Sequence, residues 1–382
     1  MDYAATTPVD HRVFEAMEPF LRERFGNPSS IHSFGQDALE AVETARRQVA
    51  ALLNADPSEV VFTGGGTEAD NAALIGAGNA LKSKGNHILT TSIEHHAVLA
   101  CCEFMAENGF DVTPVPVGPD GIVSMAEIEK AVTDRTVLIS VMHANNEIGT
   151  IQPIAKIGAF ARARGIVFHT DAVQTFGHVS LDVQSMHIDL LSLSAHKLYG
   201  PKGVGALFIR KGTPFEPLIR GGGQEDGRRS STHNVPGIAG LGSAAEIAGK
   251  EMESENHLLL ELRRHLFRNL LANLKGIHLN GHPEHRLANN LNLSVEHVEG
   301  ESLIMALDLE GVAASSGSAC SSGSGETSHV LRALGVPPDK ARGSLRLTLG
   351  RFTTLEECDR TIHAIVKSVE RLRKLASSEI PA

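Results

Sequence analysis

Between residues 60 and 209 the chain repeats one pattern: a short apolar or β-branched run, then a stretch with helical spacing. Strand signals at 60–62, 87–90, 112–117, 136–142 and 166–169 alternate with helical patterns at 67–81, 95–107, 124–132 and 154–164, and runs at 190–193 and 204–209 add two further strands. Ser124 with Glu127 three residues on reads as a capping box, and Gly165 closes the helix before it. Strands that alternate with helices need crossover connections, which put helices on both faces of a mostly parallel sheet. The expectation is therefore α/β. The last third reads differently. A long Leu-rich charged helix is predicted over 251–274, alternating strands at 291–295 and 345–349, and amphipathic helices at 302–309 and 354–375. This predicts a large domain over 11–253 and a small α+β domain made of 1–10 and 254–382, with the boundary inside the long helix. The Ser/Gly tract 315–325 predicts a mobile cysteine loop at about 315–327.

Composition narrows the function classes. In 382 residues, 42% are hydrophobic, enough for a sizeable core without covalent staples. The charge balance of 35 basic against 45 acidic residues, net −10, argues against direct nucleic-acid binding as the main role. No run approaches the ~18 apolar residues of a membrane span. The start, MDYAATTPVD, has neither a basic n-region nor an apolar h-region. Cysteines at 101, 102, 320 and 358 do not make a disulfide framework. A cytoplasmic enzyme is expected.

Three segments carry chemistry together. Gly64-Gly65-Gly66-Thr67 joins a strand to a helix, where backbone N–H groups and the helix dipole favour a phosphate. Asp171 ends a buried parallel strand, where open α/β sheets bind ligands, and a carboxylate there needs a cation or water. Gln174 follows three residues later. Lys197 comes just after an apolar strand, between His196 and Gly200-Pro201, and a lysine so placed can form a Schiff base. Each piece alone has a commoner reading: a flexible turn, a capping Asp, a surface Lys. Together they are what pyridoxal 5′-phosphate requires, with an anion cradle, an Asp to keep the pyridine nitrogen protonated, and a Lys to carry the aldehyde. His95 ends another strand and suits stacking or proton transfer. No metal is expected, because neighbouring His and Cys residues on a helix point apart. Cys101 and Cys102 read as buried small hydrophobes. Cys320, in a polar tract, reads either as an incidental linker residue or as an accessible thiol whose reactivity is used, since an exposed thiol is otherwise a liability.

With these motifs the sequence resembles the cysteine desulfurases, fold-type-I pyridoxal-phosphate enzymes. The matching segments are 2–8, 25–30, 67–71, 94–95, 143–149, 194–203, 221–225 and 315–320, and the Ser-Ser-Gly-Ser-Ala-Cys motif is similar to that of the group with a long mobile cysteine loop. The resemblance implies that Lys197 carries the cofactor and moves a proton, that Asp171 pairs with the pyridinium, and that Gln174 and Asn146 lie near the phenolic oxygen. It implies that His95 stacks on the ring, and that Gly66, Thr67, Ser194 and His196 hold the phosphate. Thr232 would reach the phosphate of a neighbouring subunit in a homodimer. Arg346, and Asn146 beside it, would bind the substrate. Cys320 would take sulfur from L-cysteine as a persulfide, leave L-alanine, and pass the sulfur to an iron–sulfur scaffold protein or another sulfur acceptor. A selenocysteine lyase or related lyase is the nearest rival. Two positions depart from the family pattern: Gly64, where a Ser is frequent, and Ser231, where Gly is usual.

Overall fold

The computed structural model describes residues 1–317 and 327–378. Its strands are β1 (Val60–Thr63), β2 (His87–Thr91), β3 (Asp111–Val115), β4 (Thr136–Ser140), β5 (Val167–Asp171), β6 (Leu190–Ser194), β7 (Gly205–Ile209), β8 (Ile277–Leu279), β9 (Asn290–Val295) and β10 (Ser344–Thr348). Its helices are α1 (His11–Arg22), α2 (Ser33–Leu53), α3 (Gly66–Leu81), α4 (His96–Glu107), α5 (Met125–Ala131), α6 (Ile154–Ala163), α7 (Val235–Asn273), α8 (Gly300–Leu309), α9 (His329–Ala333), α10 (Pro338–Arg342) and α11 (Leu355–Ser378).

A seven-stranded sheet runs in the order β1-β7-β6-β5-β4-β2-β3. The pairs β6–β5, β5–β4, β4–β2 and β2–β3 are parallel. β7 runs antiparallel to both β6 and β1 because a short connection, not a crossover helix, links β6 to β7. That connection holds Lys197. The α/β expectation is met, with a mixed sheet, and a smaller C-terminal domain is built on the sheet β10-β9-β8.

Three local readings needed correction. The sequence pattern began at β1 and omitted α1 and α2. The long helix α7 starts at Val235, not near 251. Its first half is rich in glycine, which lowers helix propensity, but the glycines allow close packing: a Cβ on Gly242 would lie 2.5 Å from Ala45 Cα of α2. At Ser124 only half a capping box is seen. The Glu127 N–H donates to Ser124 Oγ at 3.1 Å, while the Glu127 carboxylate faces Lys130 at 4.0 Å. A reciprocal box forms instead between Asp56 and Glu59.

The first half of α7 buries Ile238, Leu241 and Ala245 with the α2 and large-sheet side chains, and its second half buries Leu262, Leu266 and Leu270 with Leu291, Leu293, Leu345 and Leu347 of the small sheet. The N-terminus ties the two sheets together. The Tyr3 N–H and the Thr348 N–H bond to Thr348 and Met1 carbonyls along β10, and the Thr7 and Asp10 N–H groups then bond to His196 and Tyr199 carbonyls beside Lys197. Cys101, Cys102 and Cys358 are free and buried. Among the described residues, no helix is long and apolar enough to cross a membrane.

Candidate active site

The C-terminal ends of β5 and β6, the start of α3 and the N-terminal segment enclose a cavity of about 250 Å³. Its wall includes Gly66, Thr67, His95, Asn146, Asp171, Gln174, Ser194, His196, Lys197 and Arg346. Residues spread over most of the sequence thus meet in one place. Thr232 does not join them; it is exposed on the segment before α7. Cys320 lies outside the described residues, as does most of the tract read as a mobile loop.

Asp171 is 5% exposed at the end of β5, opposite Ser192 of β6. The Val173 N–H donates to Asp171 Oδ1 at 2.8 Å. Burial raises its carboxyl above the usual range, while the Val173 N–H and the Lys197 charge pull it back. A buried carboxylate in that position is completed by a cation such as a protonated pyridine nitrogen. Lys197, in a 3₁₀ turn after β6, donates from Nζ to the carbonyls of Ala4 and Ala5 at 2.5 and 2.7 Å. Gln174 Nε2 donates to the same Ala4 carbonyl at 3.1 Å.

The anion cradle is tight. A Cβ on Gly66 would stand 2.6 Å from Val173 Cγ2 and 3.5 Å from Ser194 Cβ. Gly66 opens α3, so its turn presents N–H groups with no helical partner. The departure at Gly64 also has a local reason. Its N–H donates to Glu68 Oε2 at 2.8 Å, Glu68 pairs with Arg229 at 2.7 Å, and a Cβ there would sit 2.7 Å from the same carboxylate oxygen. Ser231, the other departure, takes φ 135°, a region that favours glycine.

His95 caps α4, and its Nδ1 accepts the Ala97 N–H at 3.1 Å. The neutral ring therefore carries its proton on Nε2. Burial first, then Lys197, lowers its pKa to about 4. His196 is likewise pushed down to about 4 by burial and by Lys197. Behind His95, Glu94 is fully buried; Thr91 Oγ1 and the Met142 N–H donate to its carboxyl, which burial raises to about 8.

Arg346, on β10, is 1% exposed. Nη1 donates to the Asn146 carbonyl at 3.1 Å and Nη2 to Asp2 Oδ1 at 2.9 Å, while Nε is buried with no hydrogen-bond partner. A buried guanidinium N–H left open this way calls for an acceptor such as a substrate carboxylate. The sequence reading missed Asp2, Asp70, Met142 and Val173 as parts of this site. Asp70 is within the 67–71 motif, on α3, and lines the cavity with an unbonded Oδ1; its helical offset from Gly66 was the available signal. Among the described residues, no group of three or more His, Cys, Asp or Glu could hold a metal.

The family model described as Aminotransferase class-V matches residues 1–361. The chain belongs to the class-V aminotransferase family. Within it, the chain groups with the IscS-type cysteine desulfurases, which are pyridoxal-phosphate enzymes. It is 51% identical to cysteine desulfurase IscS of Dictyoglomus turgidum, over 98% of this chain and 95% of that protein. It is 53% identical to cysteine desulfurase IscS of Methanosarcina thermophila, over 98% and 93%. Among solved structures, a NifS-like protein superposes with a TM-score of 0.91 at 40% identity, over 97% of this chain and 98% of the other. SspA in complex with cysteine gives 0.81 at 38% identity, over 92% and 99%. The class-V aminotransferase fold and its cofactor thus agree with the cavity. Asp171, the Gly66 cradle and Lys197 fit pyridoxal 5′-phosphate, and the open Arg346 N–H fits an amino-acid carboxylate.

Proposed function

We propose that this enzyme converts L-cysteine to L-alanine and retains the sulfur as a persulfide on Cys320. The observation that carries the reading is the meeting of Asp171, Lys197, His95 and Arg346 around one cavity. Bound there, pyridoxal 5′-phosphate supplies a conjugated electron sink that stabilises negative charge next to the substrate's Cα. Gly66, Thr67, Ser194 and His196 hold its phosphate, Asp171 its ring nitrogen, and Asn146 and Gln174 its phenolic oxygen. Arg346 orients the substrate carboxylate. Lys197 Nζ moves the proton at Cα, and His95, neutral with Nε2–H, covers the ring face and delivers a proton. The Cys320 thiolate attacks the substrate sulfur: the S–S bond forms as the Cβ–S bond breaks, the electron pair stays on carbon, and a proton completes the methyl group of alanine.

The same proposal includes a homodimer. Leu21, Phe25, Ile31 and Phe34 are exposed apolar side chains near the chain start, with the Phe25 and Phe34 rings 5.7 Å apart, and an exposed apolar patch of this kind suits a second copy. Thr232, outside its own cavity, is then free to reach the neighbouring subunit's phosphate. The division into 11–253 and 1–10 with 254–382 is supported by the two halves of α7 packing into different cores. Buried unpaired cysteines support a reducing, cytoplasmic setting. The sulfur acceptor is proposed to be an iron–sulfur scaffold protein or another thiol-bearing acceptor.

The test is intact-protein mass after incubation with L-cysteine, with alanine assayed in parallel, on wild type, Cys320→Ser and Lys197→Ala. Wild type should gain sulfur and form alanine. The serine variant should gain none, and the lysine variant should form neither product. Undiminished sulfide release by Cys320→Ser would move the assignment to a lyase.

A further inference from the structure

Two residues past Lys197, Tyr199 stands at φ 63°, in the left-handed region where a bulky residue is an outlier. Glycine takes that conformation at no steric cost, so an aromatic residue kept there implies surroundings that hold it. Its backbone is fixed by the N-terminal segment. The Tyr199 N–H donates to Thr7 Oγ1 at 2.8 Å, and its carbonyl accepts the Asp10 N–H at 3.0 Å. Its side chain points away from the large sheet. The residue is 2% exposed, and its ring reaches the segment that follows β10.

The phenol oxygen is shared between two elements. It donates to Glu255 Oε1 at 3.3 Å, at the middle of α7, where that helix passes from one core to the other. It accepts the backbone N–H of Arg351, five residues past Arg346. The Arg351 guanidinium carbon lies 4.4 Å from the Tyr199 ring centroid, and the same group donates to Glu255 Oε2 at 2.8 Å and to Asp10 Oδ2 at 2.9 Å. The Phe352 ring meets the Tyr199 ring edge-on at 5.6 Å. Burial, and then the Glu255 charge, raises the phenol pKa, so the hydroxyl keeps the proton it donates. One side chain thus joins the turn that carries Lys197 to the segment that carries Arg346.

We infer that Tyr199 is a positioning residue that sets the spacing between Lys197 and Arg346, and so favours ligands held at both ends. The inference rests on the proposed function, in which the substrate's Cα lies at Lys197 and its carboxylate at Arg346. Those two side chains belong to different sheets. A ligand that engages both needs the sheets in one relative placement, whereas a ligand with an amine alone does not. Affinity for the two-ended ligand falls in proportion as that placement is populated less. The Tyr199 hydroxyl holds the placement through one hydrogen bond to a carboxylate and one from the backbone beyond β10. It touches neither ligand end, so its loss acts on the spacing alone.

The test is equilibrium titration of the holoenzyme with L-alanine and with ethylamine, which is L-alanine without its carboxylate, read by the visible absorbance of the cofactor. Tyr199→Phe removes the hydroxyl but keeps the ring against Arg351 and the backbone bonds to Thr7 and Asp10, so the fold is retained. This variant should bind L-alanine about tenfold more weakly than wild type, and ethylamine within about twofold. Tyr199→Leu, which also removes the ring, should lose at least as much affinity for L-alanine. L-Alanine binding within twofold of wild type in both variants overturns the inference. So does an equal loss for the two ligands, because Tyr199 would then support only the Lys197 end. A wild type that binds L-alanine no more tightly than ethylamine overturns the placement of the carboxylate on Arg346, and the inference with it. A wild type that discriminates, beside variants that discriminate equally well, sinks only the inference.

Discussion

Replacing Arg346 with Lys separates the charge of this residue from its fork. The guanidinium has three distinct directions in use or available: Nη1 toward the Asn146 carbonyl, Nη2 toward Asp2, and a buried, unbonded Nε. An ammonium on a 1%-exposed strand position keeps the charge but cannot reproduce planar pairing with a carboxylate. Losing one hydrogen bond to a charged group costs about 1.5–3 kcal/mol. One such bond to the substrate is lost, so about 1.5–3 kcal/mol of binding is expected to go, or roughly ten- to a hundredfold. The substrate carboxylate is unchanged by the reaction, so the loss should be uniform between ground and transition states and should fall on KM with kcat largely kept. The assay is the initial rate of alanine formation over a cysteine concentration series, with cysteamine, which lacks the carboxylate, as a competing ligand. Cysteamine inhibition should be alike in wild type and variant. A KM for cysteine within twofold of wild type would refute the placement of the substrate carboxylate on Arg346.

Three further outcomes follow from the geometry. Gly66→Ala forces a Cβ to within 2.6 Å of the stiff Val173 side chain, an overpacking cost of about 1–3 kcal/mol; dialysed variant should retain cofactor about tenfold less tightly, read by its visible absorbance. Glu94→Gln should flatten the pH dependence of stability: the folded carboxyl holds its proton to about pH 8, the unfolded one to about 4.3, so wild type loses up to ~5 kcal/mol as pH rises between those values and the variant does not. Urea midpoints at pH 5 and pH 8.5 check this, and parallel slopes for both proteins would reject it. Ser231→Gly relieves a residue at φ 135° and should stabilise by about 1 kcal/mol in the same urea assay; a lower midpoint would show that Ser231 contributes more than its strain costs.

Much of the site was legible because it is local. Asp171 and Lys197 each follow a buried apolar strand, and a parallel sheet brings such strand ends to one edge by construction. The Gly66 turn carries its signal in three consecutive glycines. What escaped the sequence depends on contacts that have no local mark. Lys197 meets the Ala4 and Ala5 carbonyls across more than 190 residues, and Arg346 meets Asp2 across 344. Ala4 and Ala5 carry no mark of their role, since a backbone carbonyl belongs to every residue, and Asp2 is one of many acidic residues with nothing local to pair it with Arg346. The early start of α7 was hidden for the opposite reason: glycines that look like helix breakers are there so that two helices can approach closely.

The N-terminal segment shows why those long-range contacts matter. Residues 2–7 cross from the small sheet at Thr348 to the turn at His196, placing two carbonyls on Lys197 and a carboxylate on Arg346 on the way. Lys197 belongs to the large sheet and Arg346 to the small one, so the amine and the guanidinium proposed to act on one substrate are positioned by different cores. A rigid connection is needed between them, because a shift of about 1 Å in such a geometry can cost a hundredfold in rate. The strap provides it, and the Asn146-Glu147 loop provides a second link, its carbonyls accepting from Arg346, Asn290 and Asn292 of the small sheet. The catalytic groups come from local strand ends; their alignment comes from two segments that bridge the cores.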